Sequence, residues 1–187
     1  MVSSIPQEWK DTLSKIQQVF PGAVIAGGCL RDLDHGKPIK DVDIFVPIYS
    51  TTDGTLADID TTLKSLFPPE IQDDLCSVAP VSLLVQNDYA RCNLRDEVLT
   101  VYTINTLPFA CDIIFVESDG KDAIFCTFDM SINMVQYDND RLTYSPLYSH
   151  TKVTKIIKVI NHDSPERLER RVARLQEKYM EYTIDRT

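Results

Sequence analysis

The stretch Ala23-Val-Ile-Ala-Gly-Gly-Cys-Leu-Arg-Asp32, followed after a short polar insert by Lys40-Asp-Val-Asp-Ile-Phe-Val-Pro47, decides the fold. The second apolar run carries two acids, Asp41 and Asp43, two residues apart. Residues i and i+2 of a strand point to the same face, so we expect both carboxylates on one face. Carboxylates that close repel each other unless a cation lies between them. A divalent metal, most often Mg2+, is the usual partner of such oxygen ligands.

The glycine pair supplies a second chemical feature. A strand that runs into Gly27 and Gly28 and then opens a helix exposes backbone N–H groups to an anion. Arg31 follows within one helical turn and adds a cation. The segment therefore combines a phosphate-binding turn with a candidate metal site. The plainer alternative is a glycine turn before an ordinary surface helix, with Asp41 and Asp43 as solvated strand-edge charges; it accounts for fewer of these residues.

The order Gly-Gly-x-x-Arg-Asp and then Asp-x-Asp resembles the nucleotidyltransferases related to DNA polymerase β. Within them it is most similar to the head domain of tRNA nucleotidyltransferases (CCA-adding enzymes) and bacterial poly(A) polymerases. The matching positions are Gly27, Gly28, Arg31, Asp32, Asp41 and Asp43. The resemblance implies an α/β (α+β) nucleotidyltransferase head with a short mixed sheet flanked by helices, plus a C-terminal neck-like helix. It divides the chain into a catalytic head, 1–148, and a truncated neck-like helical segment, 149–187.

The chain length fits one core-bearing domain and leaves room for a small appendage. The 187 residues are 43% hydrophobic and 25% charged, which is ordinary for a globular protein. The five cysteines are widely spaced and form no Cys-x-x-Cys pair, so they predict neither a zinc site nor a disulfide framework. We expect reduced, mostly buried thiols in a cytoplasmic protein. No apolar run is long enough to span a membrane, so we expect no membrane partner.

The charge balance bears on nucleic acid. The net charge is −9 and the sequence pI is about 4.7. A broad electrostatic grip on nucleic acid needs a basic surface, so we expect no duplex DNA as a partner. A local basic groove is compatible with this charge, and metal bound at the acidic cluster would offset part of it.

Hydrophobic periodicity places further elements. Steps of three and four along Pro6–Phe20 predict a helix whose apolar face includes Trp9, which we assign to core packing. Ser164 and Pro165 open a C-terminal helix. The residues 81–85 fit a helix or a strand equally well. The other predicted elements are strands at 23–26, 41–46, 98–104 and 109–116 and helices at 27–35, 56–66 and 164–179, with a short helix and strand within 152–160.

Asp112 is the one charge in the apolar run Phe109–Val116. A charge inside such a run is costly unless it has a partner, and the alternative is a solvated acid on an edge strand. In the resembled family, a strand after Asp-x-Asp supplies the third carboxylate of the metal site. The resemblance thus implies that Asp41, Asp43 and Asp112 hold two Mg2+ ions. The long spacing from Asp43 to Asp112 implies an insertion between the two strands.

The stretch from Thr127 to Asp138 resembles the family segment Arg-Arg-Asp-Phe-Thr-x-Asn. Asp129 and Asn133 are retained, while Thr127 and Phe128 replace the two arginines. The resemblance implies that Asp129 and Asn133 line the nucleotide. On a helix they would be i and i+4 and would share a face.

The C-terminal helix resembles the family helix that carries Glu-Asp-x-x-Arg and reads the incoming base. Arg170, Arg171 and Arg174 stand at those positions, and only Arg174 keeps its residue type. We expect Arg167 and Arg170 to be solvated. For Arg171 and Arg174, a solvated role and a nucleotide or phosphate contact stay equally open.

The resemblance implies a template-independent, Mg2+-dependent transfer of a nucleoside monophosphate from an NTP (ATP or CTP) to a hydroxyl. The first acceptor it implies is an RNA 3′ end, such as that of tRNA. Nucleotide transfer to a protein or a small molecule is a second hypothesis. A nucleotide-binding regulator without catalysis is a third. The altered Arg-Arg and Glu-Asp positions favour it, and the intact Asp-x-Asp and Gly-Gly oppose it.

Overall fold

A computed structural model gives the fold of the chain. It describes residues 4–48, 55–72, 76–78, 98–105, 107–118, 120–138, 140–160 and 165–186. The ambiguous stretch 81–85 and the predicted cap Ser164 lie outside these residues.

Helices and strands are interspersed along the described chain. The helices are α1 Gln7–Gln17, α2 Gly28–Asp34, α3 Thr55–Ser65, α4 Pro69–Gln72, α5 Pro146–Thr154 and α6 Pro165–Lys178. The strands are β1 Val24–Ala26, β2 Val42–Ile48, β3 Cys76–Val78, β4 Val98–Ile104, β5 Cys111–Glu117, β6 Val135–Asp138, β7 Arg141–Tyr144, β8 Ile156–Lys158 and β9 Thr183–Asp185. Two 3-10 helices, Lys121–Thr127 and Ser131–Asn133, lie between β5 and β6.

Seven of the described strands form one mixed sheet in the order β3-β4-β5-β2-β1-β6-β7. The strands β2 and β5 run parallel, and the other neighbours in this sheet are antiparallel. A separate parallel pair joins β8 to β9. The predicted fold class, a mixed sheet flanked by helices with a C-terminal helix, is confirmed.

The core lies against the central strands β2 and β5. Ile44 and Ile113 are fully buried, as expected for apolar runs in the middle of a sheet. The helix α1 buries the predicted face, and the ring centroid of Trp9 lies 6.2 Å from that of Phe109. The C-terminal helix α6 buries Val172 and Leu175, and Tyr179, directly after the helix, is buried as well.

The sequence patterns did not predict the helix α4, the two 3-10 helices or the strands β3, β6, β7 and β9. The described part of the chain contains no helix that is both long and apolar enough to cross a membrane. The division into a head, 1–148, and a neck-like segment, 149–187, stays a prediction.

Candidate functional site

Asp43 and Asp112 lie side by side in the sheet. They are register partners on the parallel strands β2 and β5, and partners across a ladder point to the same face. Thr103 is the partner of Asp112 on β4, and its hydroxyl donates a 2.7 Å hydrogen bond to Asp112 Oδ1. A polar row of Thr103, Asp112 and Asp43 therefore crosses three strands of an otherwise apolar sheet centre. The metal role of these acids stays a prediction.

Asp41 lies one residue before β2, two residues from Asp43. Its carboxylate forms a 3.0 Å ion pair with Lys40, whose side chain is 89% exposed. The hydrogen bond with Asp41 and its charge raise the pKa of Lys40; the charge of Asp112 adds to this and that of Arg174 opposes it. We call Asp41, Asp43 and Asp112 the acidic edge, and Lys40 thus lies in the electrostatic field of this edge and of α6.

The chemistry of this edge fits Mg2+, because its donors are carboxylate and hydroxyl oxygens. The donor atoms are not yet close enough together to form a complete metal site. Across the described ranges no set of three or more His, Cys, Asp or Glu side chains is close enough together to hold a metal ion. For all three acids to bind the metal ion, Asp41 must give up its ion pair with Lys40.

Gly27 occupies a conformation that other residues rarely adopt, with φ at +85°. Its N–H donates a 3.0 Å hydrogen bond to the carbonyl of Val135 on β6, so this amide is not available to an anion. A Cβ at Gly27 would come within 3.0 Å of the Phe128 ring, and one at Gly28 would come within 3.4 Å of Arg31 Nη2. The turn is therefore tight, and Arg31 folds back over it.

Arg31 is held on two sides by other side chains. Its Nε donates to Asp32 Oδ1 at 2.7 Å and to the Tyr179 hydroxyl at 3.1 Å, and its Nη1 donates to Asn133 Oδ1. Burial alone would lower the pKa of Arg31, but the hydrogen bond and charge of Asp32 outweigh burial and the pKa is raised. Arg31 is a fixed cation beside the glycine turn.

Asp32 is the counter-ion of Arg31. Besides Arg31, its carboxylate accepts hydrogen bonds from the Tyr179 hydroxyl and from Lys178 Nζ. Lys178 also donates to the carbonyl of Pro38, in the loop that leads to Asp41, at 2.6 Å. Sequence reasoning missed Lys178 and Tyr179. The apolar spacing of α6 marked Tyr179 as core, and no local signal tied either residue to a segment about 146 positions earlier.

Asp129 and Asn133 do contact each other, but not as predicted on one α-helix. Asp129 precedes the 3-10 turn Ser131–Asn133, and Met130 is extended with φ −139° and ψ 139°. An antiparallel bridge of Met130 with Val159 holds this part of the chain extended. The Asn133 amide still donates to Asp129 Oδ1, at 3.4 Å.

The arginines of α6 differ in their contacts with the site. Arg171 forms an ion pair with Asp129, which joins α6 to the polar chain of Asn133 and Arg31. Arg174 and Arg170 are exposed, and Arg174 is close enough to Lys40 to act on its pKa. The side chain of Arg167 lies outside the described residues.

Thr127 and Phe128, which replace the family's arginines, are both buried. The Thr127 hydroxyl donates to the carbonyl of Ile124 at 2.7 Å, and the Phe128 ring packs edge-on against Phe45 with centroids 5.6 Å apart. These two positions therefore give no cation to the site, and Arg31 carries the positive charge beside Gly27 and Gly28.

Comparison with solved structures gives the same fold in tRNA-processing enzymes. A Thermotoga maritima CCA-adding enzyme complexed with tRNA matches with a TM-score of 0.64 and 16% identity, over 100% of this chain and 41% of that one. A tRNA nucleotidyltransferase complexed with a primer tRNA and an incoming ATP analogue matches with a TM-score of 0.57 and 16% identity, over 93% and 46%. A CCA-adding enzyme complexed with ATP matches with a TM-score of 0.61 and 14% identity, over 97% and 41%.

The chain spans less than half the length of these enzymes. The resemblance to the nucleotidyltransferase head is confirmed at the level of the fold. No curated protein sequence matches the chain. A family model described as "Gad2: Gabija anti-defense 2 family protein" matches residues 4–155.

Proposed function

The chain belongs to the Gabija anti-defense 2 family, and we propose that it is a metal-dependent nucleotidyltransferase that moves a nucleoside monophosphate from an NTP, ATP or CTP, to a hydroxyl acceptor. The observation that carries the proposal is the pairing of Asp43 with Asp112 at one register position of β2 and β5. It brings two acids from distant parts of the sequence together on the central strands of a nucleotidyltransferase fold. A cytoplasmic location is part of the proposal.

In this proposal Asp41, Asp43 and Asp112 hold Mg2+, with two ions as in the resembled family. Bound Mg2+ lowers the pKa of an acceptor hydroxyl and offsets charge at the α-phosphate. The side chains of the chain do the remaining work. Asp43 and Asp112 are fixed by the sheet, so they need little reorganisation to receive a cation.

Arg31 is the residue we assign to the phosphate tail and the leaving pyrophosphate. Its guanidinium lies against Gly28, where the absence of a side chain lets a phosphate approach the backbone. Asn133 and Asp129 orient the nucleotide from the next segment, and Arg171 and Arg174 contact it from α6. The ion pair of Arg171 with Asp129 supports this joint placement.

The acceptor that we propose first is an RNA 3′ hydroxyl, such as that of tRNA. Support comes from the neighbours of the same fold, which are complexed with tRNA and with ATP.

A protein hydroxyl is the second candidate acceptor. The family description, an anti-defense protein, favours a component of the Gabija defence system as the molecule acted on. Attachment of a nucleotide to such a component would inactivate it covalently without a large binding surface.

The test offers each of four α-labelled NTPs with Mg2+ to total RNA and to total soluble protein. The control is Asp41→Ala. Label on RNA that is absent in the variant supports the terminal-transferase proposal and gives the nucleotide preference. Label on polypeptide would identify a protein acceptor and leave the proposed transfer reaction unchanged. NTP that binds but is never consumed would replace the proposal with a nucleotide-binding regulator.

A further inference from the structure

We infer that Tyr179, the residue directly after α6, is a positioning residue that fixes the Arg31 guanidinium for polyphosphate binding. The inference rests on the proposed function, because it assigns Arg31 to the phosphates of the NTP. It adds that the C-terminal helix, and not only the glycine turn and its own helix, determines how that arginine is presented.

The Tyr179 hydroxyl contacts both members of the Arg31–Asp32 ion pair. It donates to Asp32 Oδ1 and accepts from Arg31 Nε at 3.1 Å. A hydroxyl has one hydrogen and two acceptor lone pairs, so both bonds can be made at once. The ring adds a second contact, since the Arg31 guanidinium carbon lies 5.3 Å from the ring centroid.

The surrounding bonds leave the guanidinium little freedom. Asp32 is 5% exposed, and its second carboxylate oxygen is bound by Lys178. Nη1 of Arg31 is bound by Asn133. Among the described residues, hydrogen bonds thus hold Nε and Nη1, while Nη2 lies against Gly28 and is the nitrogen left to meet an anion.

Packing alone does not account for this arrangement. Tyr179 has no exposed surface, and a phenylalanine ring would fill the same space. The hydroxyl is satisfied only by Asp32 and Arg31 among the described residues, so its placement serves that pair. Tyr182 offers a matched control, because it is also buried and its hydroxyl binds His35 at 2.7 Å and Lys155 at 3.1 Å instead.

The experiment measures binding of inorganic tripolyphosphate by calorimetry to the wild type, Tyr179→Phe and Tyr182→Phe. Thermal unfolding of each variant shows that it is folded. We expect Tyr179→Phe to weaken binding about three- to tenfold, the net loss typical of one intramolecular hydrogen bond. Tyr182→Phe should stay within about twofold of the wild type.

Two further variants test whether Tyr179 acts through Arg31. Added to Arg31→Lys, which keeps the charge but lacks the Nε and Nη groups, Tyr179→Phe should cause no additional loss. Lys178→Gln, at a partly exposed position, should also weaken tripolyphosphate binding. This variant provides the test if Tyr179→Phe does not fold.

Four results would overturn the inference: wild-type affinity in Tyr179→Phe, an equal loss in Tyr182→Phe, a full additional loss on the Arg31→Lys background, or no tripolyphosphate binding by the wild type. The α-labelled transfer assay on the same samples separates this inference from the proposed function. Transfer with unchanged tripolyphosphate binding in Tyr179→Phe defeats the inference alone. Weakened binding in that variant without any transfer by the wild type defeats the proposed function alone.

Discussion

Two neighbouring regions of this molecule are built in opposite ways. The acidic edge, Asp41, Asp43 and Asp112, is placed by the main chain, because strand pairing alone sets Asp43 beside Asp112. The arginine cluster, which we define as Arg31, Asp32, Asn133, Lys178 and Tyr179, is placed by side-chain hydrogen bonds between α2, a 3-10 turn and α6. Backbone placement survives the loss of a side chain, whereas side-chain placement does not.

This contrast predicts different phenotypes for the two regions. Substitutions at the acidic edge should remove activity and leave the fold, since the sheet does not depend on those carboxylates. Substitutions in the arginine cluster should change stability and phosphate binding together, because the same bonds serve both.

The largest effect is expected for Asp43→Asn. The variant keeps the shape of the side chain but removes the charge that we assign to metal binding, so NMP transfer should fall on the order of a thousandfold. Urea unfolding should stay within about 0.5 kcal/mol of the wild type. Asp58→Asn, at an exposed acid of α3, is the matched control and should keep full activity. Full activity in Asp43→Asn would remove the acidic edge from the mechanism.

Asp32→Asn should give the largest loss of stability. It leaves Arg31 buried without its counter-charge, which costs about 3 kcal/mol in the free energy of unfolding measured in urea. Asp60→Asn is the control, because it breaks an exposed ion pair with Lys64 and should cost less than about 1 kcal/mol. Equal losses in the two variants would show that the arginine cluster is not a buried network.

The same variant also tests how the stability of the protein depends on pH. Burial alone would raise the pKa of Asp32, but the hydrogen bond and charge of Arg31, with Lys178 and Tyr179, outweigh it and lower the pKa from its ordinary 3.8. A carboxyl whose pKa is lowered in the folded state stabilises the protein above that ordinary value, and the stabilisation is lost as the pH falls below it. The difference between wild type and Asp32→Asn should therefore shrink below pH 3.8.

Gly27→Ala tests the turn that lies between the two regions. A side chain there faces both the positive φ of +85° and the Phe128 ring at 3.0 Å, so we expect a loss of about 1–3 kcal/mol in unfolding free energy. Gly36→Ala is matched in handedness, with φ at +62°, but a Cβ there meets nothing within 4 Å. It should cost less than Gly27→Ala, and the reverse order would contradict the tight turn.

The smallest effect concerns His35, at the end of α2. Burial lowers the pKa of His35 from its ordinary 6.5, against the opposing effects of the Arg31 carbonyl and Asp34, and the charges of Lys152 and Lys155 lower it further. The lowered pKa means that the neutral ring stabilises the fold above pH 6.5, and that this stabilisation is lost as the pH falls below it.

Unfolding free energy should therefore decline by less than about 1.4 kcal/mol per unit between pH 6.5 and 5.5. His35→Gln should flatten this decline, because glutamine can keep both a donor and an acceptor. His150→Gln, at an exposed histidine, should retain the wild-type slope. An unchanged slope in His35→Gln would assign the decline to other groups.

The contrast between the two regions also explains what the sequence could predict. Apolar runs around Val42–Ile48 and Cys111–Glu117 marked the central strands, and the lone charge of Asp112 marked a residue in need of a partner. Local patterns carry such information because strand placement depends on neighbours in sequence. The family resemblance, in which a later strand supplies a third carboxylate, predicted that Asp112 would join Asp41 and Asp43.

The rest depended on contacts between distant segments. Nothing in the sequence around Tyr179 shows that its hydroxyl reaches Asp32. Pairing of Met130 with Val159 likewise keeps Asp129 out of the predicted helix. Such side-chain and bridge contacts are set by tertiary packing, which overrides local propensity.

The most direct test of nucleotidyl transfer follows two labels through one reaction. The wild type, with Mg2+ and the acceptor fraction identified by the transfer assay, receives NTP labelled on the α-phosphate or on the γ-phosphate. We predict that α-label moves to the acceptor while γ-label leaves as pyrophosphate, and that Asp43→Asn abolishes both. Transfer of the γ-label to the acceptor, or equal transfer of the α-label by Asp43→Asn, would contradict the account.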